Sequence, residues 1–348
     1  MRILFVHRNN HYPQDRHLID GLRELGHDVF ELKLASNKGA IRAIRRESKD
    51  VDFIFIGFTA PLLAIAARIA RPRATIVFNA VLSQYEANIV SRGEYGFLGM
   101  RALKWRVIDS LSFAASSKVL LESDAQINFI REEFAVPGRK LIRSLSGLDE
   151  RDFFFDSRVP KHSRFSVLFR GRFLPESGID TVIRTAKILE NEGVDFLIIG
   201  HGFLYKTVNA LMAELAPKNV TKIEETLPID ELRRKMLSCH VSLGQVADHP
   251  RLRRTLPCKL FESLALKLPY LSGRNQAVLE VLTENVNCVM ANPGDAEDLA
   301  AKIRLLRDSP ALREKIARAG HDLYRHTLTS KALAKEVMDE LLLESGDE

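Results

Sequence analysis

Short apolar runs alternate with amphipathic segments along nearly the whole chain, and the alternation breaks once. The runs at 3–6, 51–57, 74–78 and 118–122 are mostly apolar, without the strict alternation of a half-exposed strand, the mark of strands buried on both faces. Between them, residues 15–25 set Leu18, Ile19 and Leu22 on one helical face and stop at Gly26, after which 28–34 returns as a strand. Residues 101–116 and 124–133 read as further helices. This alternation predicts parallel sheets covered by helices on both faces, an α/β chain.

The break lies at 147–164, a polar stretch holding Pro160 and the trio Phe153-Phe154-Phe155, which is expected to pack against one domain. It separates a first domain at 1–155 from a second at 156–327, and 328–348 is a C-terminal helix long enough to cross back to the first. The rhythm restarts with strands at 165–170, 194–199, 220–223, 240–244, 269–272 and 287–290. Helices are expected at 179–191, 203–215, 229–237, 276–283, 296–306, 310–324 and 330–343. Two successive doubly wound, Rossmann-like domains predict a ligand in a cleft at the carboxyl ends of the strands.

Composition narrows the classes. A hydrophobic fraction of 46% and a charged fraction of 28% suit a globular protein. The apolar stretch 61–70 is too short to cross a bilayer, and the first strand follows Met1 so closely that no leader is expected. Cys239, Cys258 and Cys288 lie far apart without metal-ligand spacing and leave an odd thiol, which fits a reducing, cytoplasmic compartment. His7, His11 and His17 form no ligand set, so no metal is assigned. The net charge of +6 concentrates at Arg42, Arg45, Arg46 and Lys49, at Arg68, Arg71 and Arg73, and at Arg251, Arg253 and Arg254. Without interleaved aromatics these are not a nucleic-acid signature; the first cluster suits a solvated face or an anionic membrane surface.

The run Thr255-Leu256-Pro257-Cys258-Lys259-Leu260-Phe261-Glu262 reads as a loop becoming a helix at Pro257. A helix start favours an anionic group such as a phosphate, Lys259 adds a cation, and Glu262, a turn further on, can accept from a diol such as a ribose. The same spacing also serves an ordinary amphipathic helix.

Pieces of the second half occur in the order found in retaining GT-B glycosyltransferases, and the chain resembles glycosyltransferase family 4, the glycosyl transferases group 1. They are Gly171-Arg172-Phe173, Gly178-Ile179-Asp180, Ile199-Gly200-His201-Gly202, Leu227-Pro228, Pro257-Cys258-Lys259-Leu260-Phe261-Glu262 and Asn292-Pro293-Gly294-Asp295. Leu25-Gly26-His27-Asp28-Val29 and Asn79-Ala80-Val81-Leu82-Ser83-Gln84-Tyr85-Glu86 add to the likeness in the first half. The resemblance implies that the first domain receives an acceptor and the second a UDP- or GDP-linked sugar, with no cofactor besides that co-substrate. Glu262 would hold the ribose, while Arg254, Thr255, Leu256, Pro257, Cys258, His201 and Gly202 would line the diphosphate and sugar, with Glu225 and Leu227 beside the base. Arg172, Asn79 and Lys259 would act at the reacting centre, and Gln14, Tyr85 and Glu86 on the acceptor side.

Four departures from the family pattern stand out. Ser177 replaces the usual lysine five residues after Arg172, Arg254 replaces an acid eight before Glu262, and Asn79 stands at a histidine or aspartate position. The first strand is followed by His7-Arg8-Asn9-Asn10-His11-Tyr12-Pro13 in place of a glycine-rich loop. The leading expectation is a metal-independent retaining glycosyltransferase of polysaccharide biosynthesis, acting on a glycan, lipid-linked or small-molecule acceptor, peripheral at the inner membrane face. A non-catalytic nucleotide-sugar-binding protein and a sugar-nucleotide epimerase are the alternatives.

Overall fold

The computed structural model describes residues 1–8, 12–91 and 99–343. Its chain divides into two compact units, one of Met1–Asp149 with the segment from Leu328, the other of Glu150–Thr327.

The first unit alternates β1 (Arg2–His7), α1 (Pro13–Glu24), β2 (Asp28–Lys33), α2 (Ala40–Glu47), β3 (Phe53–Ile56), α3 (Pro61–Ala70), β4 (Thr75–Val81), α4 (Met100–Ala115), β5 (Lys118–Leu121), α5 (Asp124–Phe134) and β6 (Leu141–Arg143). The strands form one parallel sheet in the order β2-β1-β3-β4-β5-β6. Alternate side chains serve opposite faces. Leu4, Val6, Ile54, Ile56 and Ile76 meet Ala40 and Ile44 of α2, Leu63 and Ala67 of α3 and Phe113 of α4. Ile3, Phe5, Phe53 and Phe55 meet Leu18, Ile19 and Leu22 of α1 on the other face. Each fully buried side chain of this size contributes about 1.5–3 kcal/mol.

The second unit alternates β7 (Phe165–Arg170), α6 (Ile179–Ile188), β8 (Val194–Ile199), α7 (Tyr205–Leu215), β9 (Val220–Ile223), α8 (Ile229–Leu237), β10 (Val241–Leu243), α9 (Cys258–Ala265), β11 (Tyr270–Gly273), α10 (Gln276–Leu279), β12 (Val289–Ala291), α11 (Ala296–Asp308) and α12 (Pro310–Leu323). Its sheet is parallel, in the order β12-β11-β10-β7-β8-β9. The strand order reverses between β7 and β10, which opens a crevice at their carboxyl ends. The last helix, α13 (Ser330–Leu343), returns to the first unit and packs on α1. Gly21 permits the approach, since a Cβ there would fall 2.0 Å from the Ser330 carbonyl oxygen.

Several expectations are corrected. The division falls at 149/150, six residues before the boundary placed at 155. The aromatic trio explains the shift by packing within the second unit: Arg170 lies over Phe153, Arg233 over Phe154 and Lys267 over Phe155. Pro257 is the cap before α9, with an extended backbone, rather than its first helical residue. The helix expected at 276–283 ends at Leu279, and the one at 179–191 ends at Ile188. Strand β6, three residues long, gave no distinguishable run.

Candidate functional site

The crevice between β7 and β10 is built from two glycine turns, a lysine and an ion pair. Gly171 and Gly200 leave β7 and β8 with φ of 149° and 150°, in the region that favours glycine. The Gly171 amide donates to the Ile199 carbonyl at 3.0 Å, and the Phe173 amide to the His201 carbonyl at 3.1 Å. A Cβ on Gly200 would lie 1.9 Å from the Gly171 oxygen. The turns are therefore locked backbone to backbone, and they set Arg172 and His201, both exposed, at the strand ends.

Helix α9 supplies the interior. Ser263 ties it to β10 through a 2.7 Å hydrogen bond to the Ser242 hydroxyl, and the Asn275 side-chain amide holds the preceding loop at the Thr255 carbonyl, 3.2 Å away. Lys259 points into the crevice, not outward to the helix start. Its Nζ donates to the Gly244 carbonyl just past β10 at 3.3 Å, and it stands 4.2 Å from the centroid of Phe169. Gly171, just past β7, abuts it from the other side. Burial, reinforced by Arg170, pushes the Lys259 ammonium down to about 7, and Glu262 partly opposes the fall.

Glu262, buried one turn further on, pairs one carboxylate oxygen with Arg170, while Oε2 has no hydrogen-bond partner among the described residues. The carboxylate in turn holds the Arg170 guanidinium above its ordinary value. Arg170 was not singled out from sequence. As the last residue of a strand it looks like an ordinary polar end, and only its place opposite Glu262 marks it.

Thr255 and Leu256 are buried, and Arg254, Pro257, Cys258 and Gly202 are half-buried around this end of α9 and the glycine turns. Glu225 is exposed and Leu227 half-buried beyond β9. Ser177 is buried, its hydroxyl donating to the Leu174 carbonyl at 2.6 Å, and its neighbour Glu176 is buried against Arg251 at 2.6 Å. An open groove of about 590 Å3 elsewhere in this unit is lined by Arg184, Lys187, Asp295 and Glu297, all exposed; among the described residues that line it none is a buried polar group, and the crevice is the better candidate.

In the first unit the predicted residues divide. Asn79 is buried, and its amide donates to the Gln14 carbonyl and to Asp15 Oδ1, each at 2.9 Å. Asp15 also accepts from the Phe58 amide at 2.8 Å. Burial raises its carboxyl to about 6 against those hydrogen bonds and the nearby His7. This cluster lies at the carboxyl ends of β1, β3 and β4, where β4 ends in a register irregularity and Val81 has a φ of 62°. Sequence reading missed Asp15. Gln14 is half-buried. Tyr85 and Glu86 are corrected: both are buried and committed to internal contacts, Tyr85 with Phe134 and Arg106, Glu86 with Gln126 at 2.6 Å, and neither presents a surface to an acceptor. His11, with Asn9 and Asn10, lies outside the described residues. Among the described residues no group of three His, Cys, Asp or Glu is placed to hold a metal ion, and no helix is long and apolar enough to cross a membrane.

Residues 150–322 match the family described as Glycosyl transferases group 1. The chain is 25% identical over 180 residues to the amylovoran biosynthesis glycosyltransferase AmsK of Erwinia amylovora, covering 50% of this chain and 44% of that protein. It is 28% identical over 181 residues to the lipopolysaccharide core biosynthesis glycosyltransferase LpsD of Rhizobium meliloti, covering 50% and 48%. The match thus spans about half the length of these curated relatives. The structure of Anabaena Alr3699/HepE in complex with UDP-glucose is similar at a TM-score of 0.74 and 14% identity, over 99% of this chain and 100% of that one. The second unit therefore matches the Glycosyl transferases group 1 family, on a chain with the GT-B fold.

Proposed function

We propose that this chain is a retaining glycosyltransferase that takes a sugar from a nucleoside-diphosphate sugar bound in the β7–β10 crevice. The observation that carries the reading is the Glu262 carboxylate, buried with one oxygen on Arg170 and the other without a partner among the described residues. A buried acceptor left open is costly unless a ligand donor fills it, and a ribose diol supplies such donors. On this reading Arg172 at the Gly171 turn, Lys259 and the positive end of α9 would meet the diphosphate. Charge developing on the leaving diphosphate would be met by these groups. HepE, of similar fold, is seen with UDP-glucose, which favours a UDP-linked donor. AmsK and LpsD bear names of amylovoran and lipopolysaccharide core biosynthesis, which favours a glycan or lipid-linked acceptor.

Binding without transfer is the second reading, favoured by Ser177, whose buried hydroxyl supplies no cation beside the diphosphate. Calorimetric titration with UDP- and GDP-sugars, followed by a donor-hydrolysis assay, separates the two. Binding with slow hydrolysis supports the transferase. Tight binding with no turnover, even with glycan and lipid-linked acceptors, supports the second reading.

A further inference from the structure

The outer layer of the first unit carries an apolar stripe that no part of the described chain covers. Helices α2, α3 and α4 all contribute to the core on one face of the sheet, so their outward sides form one surface. Along α4, Met100 (89% exposed), Leu103 (62%), Val107 (48%) and Leu111 (53%) follow one another at spacings of three and four. That is the period of a helical face, here turned away from the core. Leu62 and Ile69, two turns apart on the adjacent α3, and Ile41 on α2 are also exposed. Isolated exposed apolar residues are ordinary, whereas a continuous stripe marks an interaction surface.

The charge on this layer names the occupant. Within α2, α3 and α4 the acidic residues are Glu47 and Asp109. Glu47 pairs with Arg46, and Asp109 is buried, accepting from the Tyr85 amide at 2.7 Å. Arg42 and Lys104 are exposed among the apolar side chains. An apolar stripe flanked by cations and bare of exposed unpaired acids within the helices suits an anionic lipid surface: side chains enter the acyl boundary while cations meet phosphate headgroups.

We propose that the outer face of α4, with α2 and α3 beside it, docks this chain on an anionic lipid bilayer. The chain's single tryptophan, Trp105, sits half-buried on α4 with the Lys104 ammonium 5.6 Å from its ring, and so reports on the event.

The full chain is tested by flotation with vesicles of phosphatidylcholine alone and of phosphatidylcholine with phosphatidylglycerol, while Trp105 fluorescence is followed. Binding about 10- to 100-fold stronger to the anionic vesicles is expected, weakening in high salt, with a blue shift of Trp105. Leu103→Glu with Val107→Glu should abolish binding with an unchanged thermal midpoint, since both positions are exposed. Arg42→Glu with Lys104→Glu should remove the preference for anionic lipid. Absence of wild-type binding, or binding that neither variant alters, overturns the idea. So does a wild-type dimer that the apolar variant dissociates, because a second copy would then own the stripe. Vesicle binding is read without nucleotide sugar, so its failure would leave the donor-site reading untouched.

Discussion

Arg170 and Glu262 meet across 92 positions of sequence at the point where the second sheet reverses its strand order, and the pair leaves one carboxylate oxygen open. Replacing Arg170 by Met strands the buried carboxylate. Because Arg170 is partly exposed, the expected loss is at the lower end for broken pairs, about 2 kcal/mol by denaturant titration at pH 7. A loss no larger than that of an exposed ion pair, below about 1 kcal/mol, would argue against the pairing.

If the crevice holds the donor, Lys259 links its binding to protons. Its folded-state value of about 7 lies below the ordinary 10.5, so the folded state holds the neutral amine while the unfolded state holds the ammonium. This group therefore costs stability increasingly as pH falls from about 10 to 7, and Lys259→Met should be the more thermally stable protein at pH 7. A bound diphosphate favours the ammonium. Calorimetry of UDP binding at pH 8, in buffers of different ionisation enthalpy, should show uptake of up to about one proton by the wild type and none by the variant.

Asp15 sets the opposite dependence in the first unit. Its carboxyl, raised to about 6 from 3.8, favours folding below pH 4, and that contribution disappears as pH rises through 6. Asp15→Asn should raise the thermal midpoint at pH 7.5 and leave it unchanged at pH 3.5, with Asn79 and the Phe58 amide still donating to Oδ1.

Much of this architecture was legible because parallel strands buried on both faces read as nearly continuous apolar runs. Residues 165–170 and 194–199, chosen from hydrophobicity, coincide with β7 and β8. What escaped depends on distant partners. Asp15 and Asn79 are 64 positions apart, and nothing local marks their hydrogen bond. Tyr85 and Glu86 look like surface polars until Asp109, Gln126 and Phe134 close over them. Lys259 was read as a cation at the helix start, and nothing local in the sequence shows that its place in the first turn of α9 aims it back under the Gly171 turn.

Ser177 and Arg254 bear on where the chain's cations stand. If Arg254 replaces the charge that Ser177 lacks, Arg254→Ala should weaken UDP-sugar binding about 10-fold, the loss of one charged hydrogen bond. Arg253→Ala, at the exposed neighbour, should have little effect. Equal affinities for wild type and Arg254→Ala would remove Arg254 from the site.

The most direct measurement is calorimetric titration of wild type, Glu262→Ala and Glu262→Gln with UDP-glucose and UDP. Wild type should bind both ligands, and each variant should bind about 10- to 100-fold more weakly, as expected when hydrogen bonds to a buried carboxylate are lost. Ligand binding of equal strength in all three proteins, or binding in none, would contradict the assignment of the β7–β10 crevice as the nucleotide-sugar site.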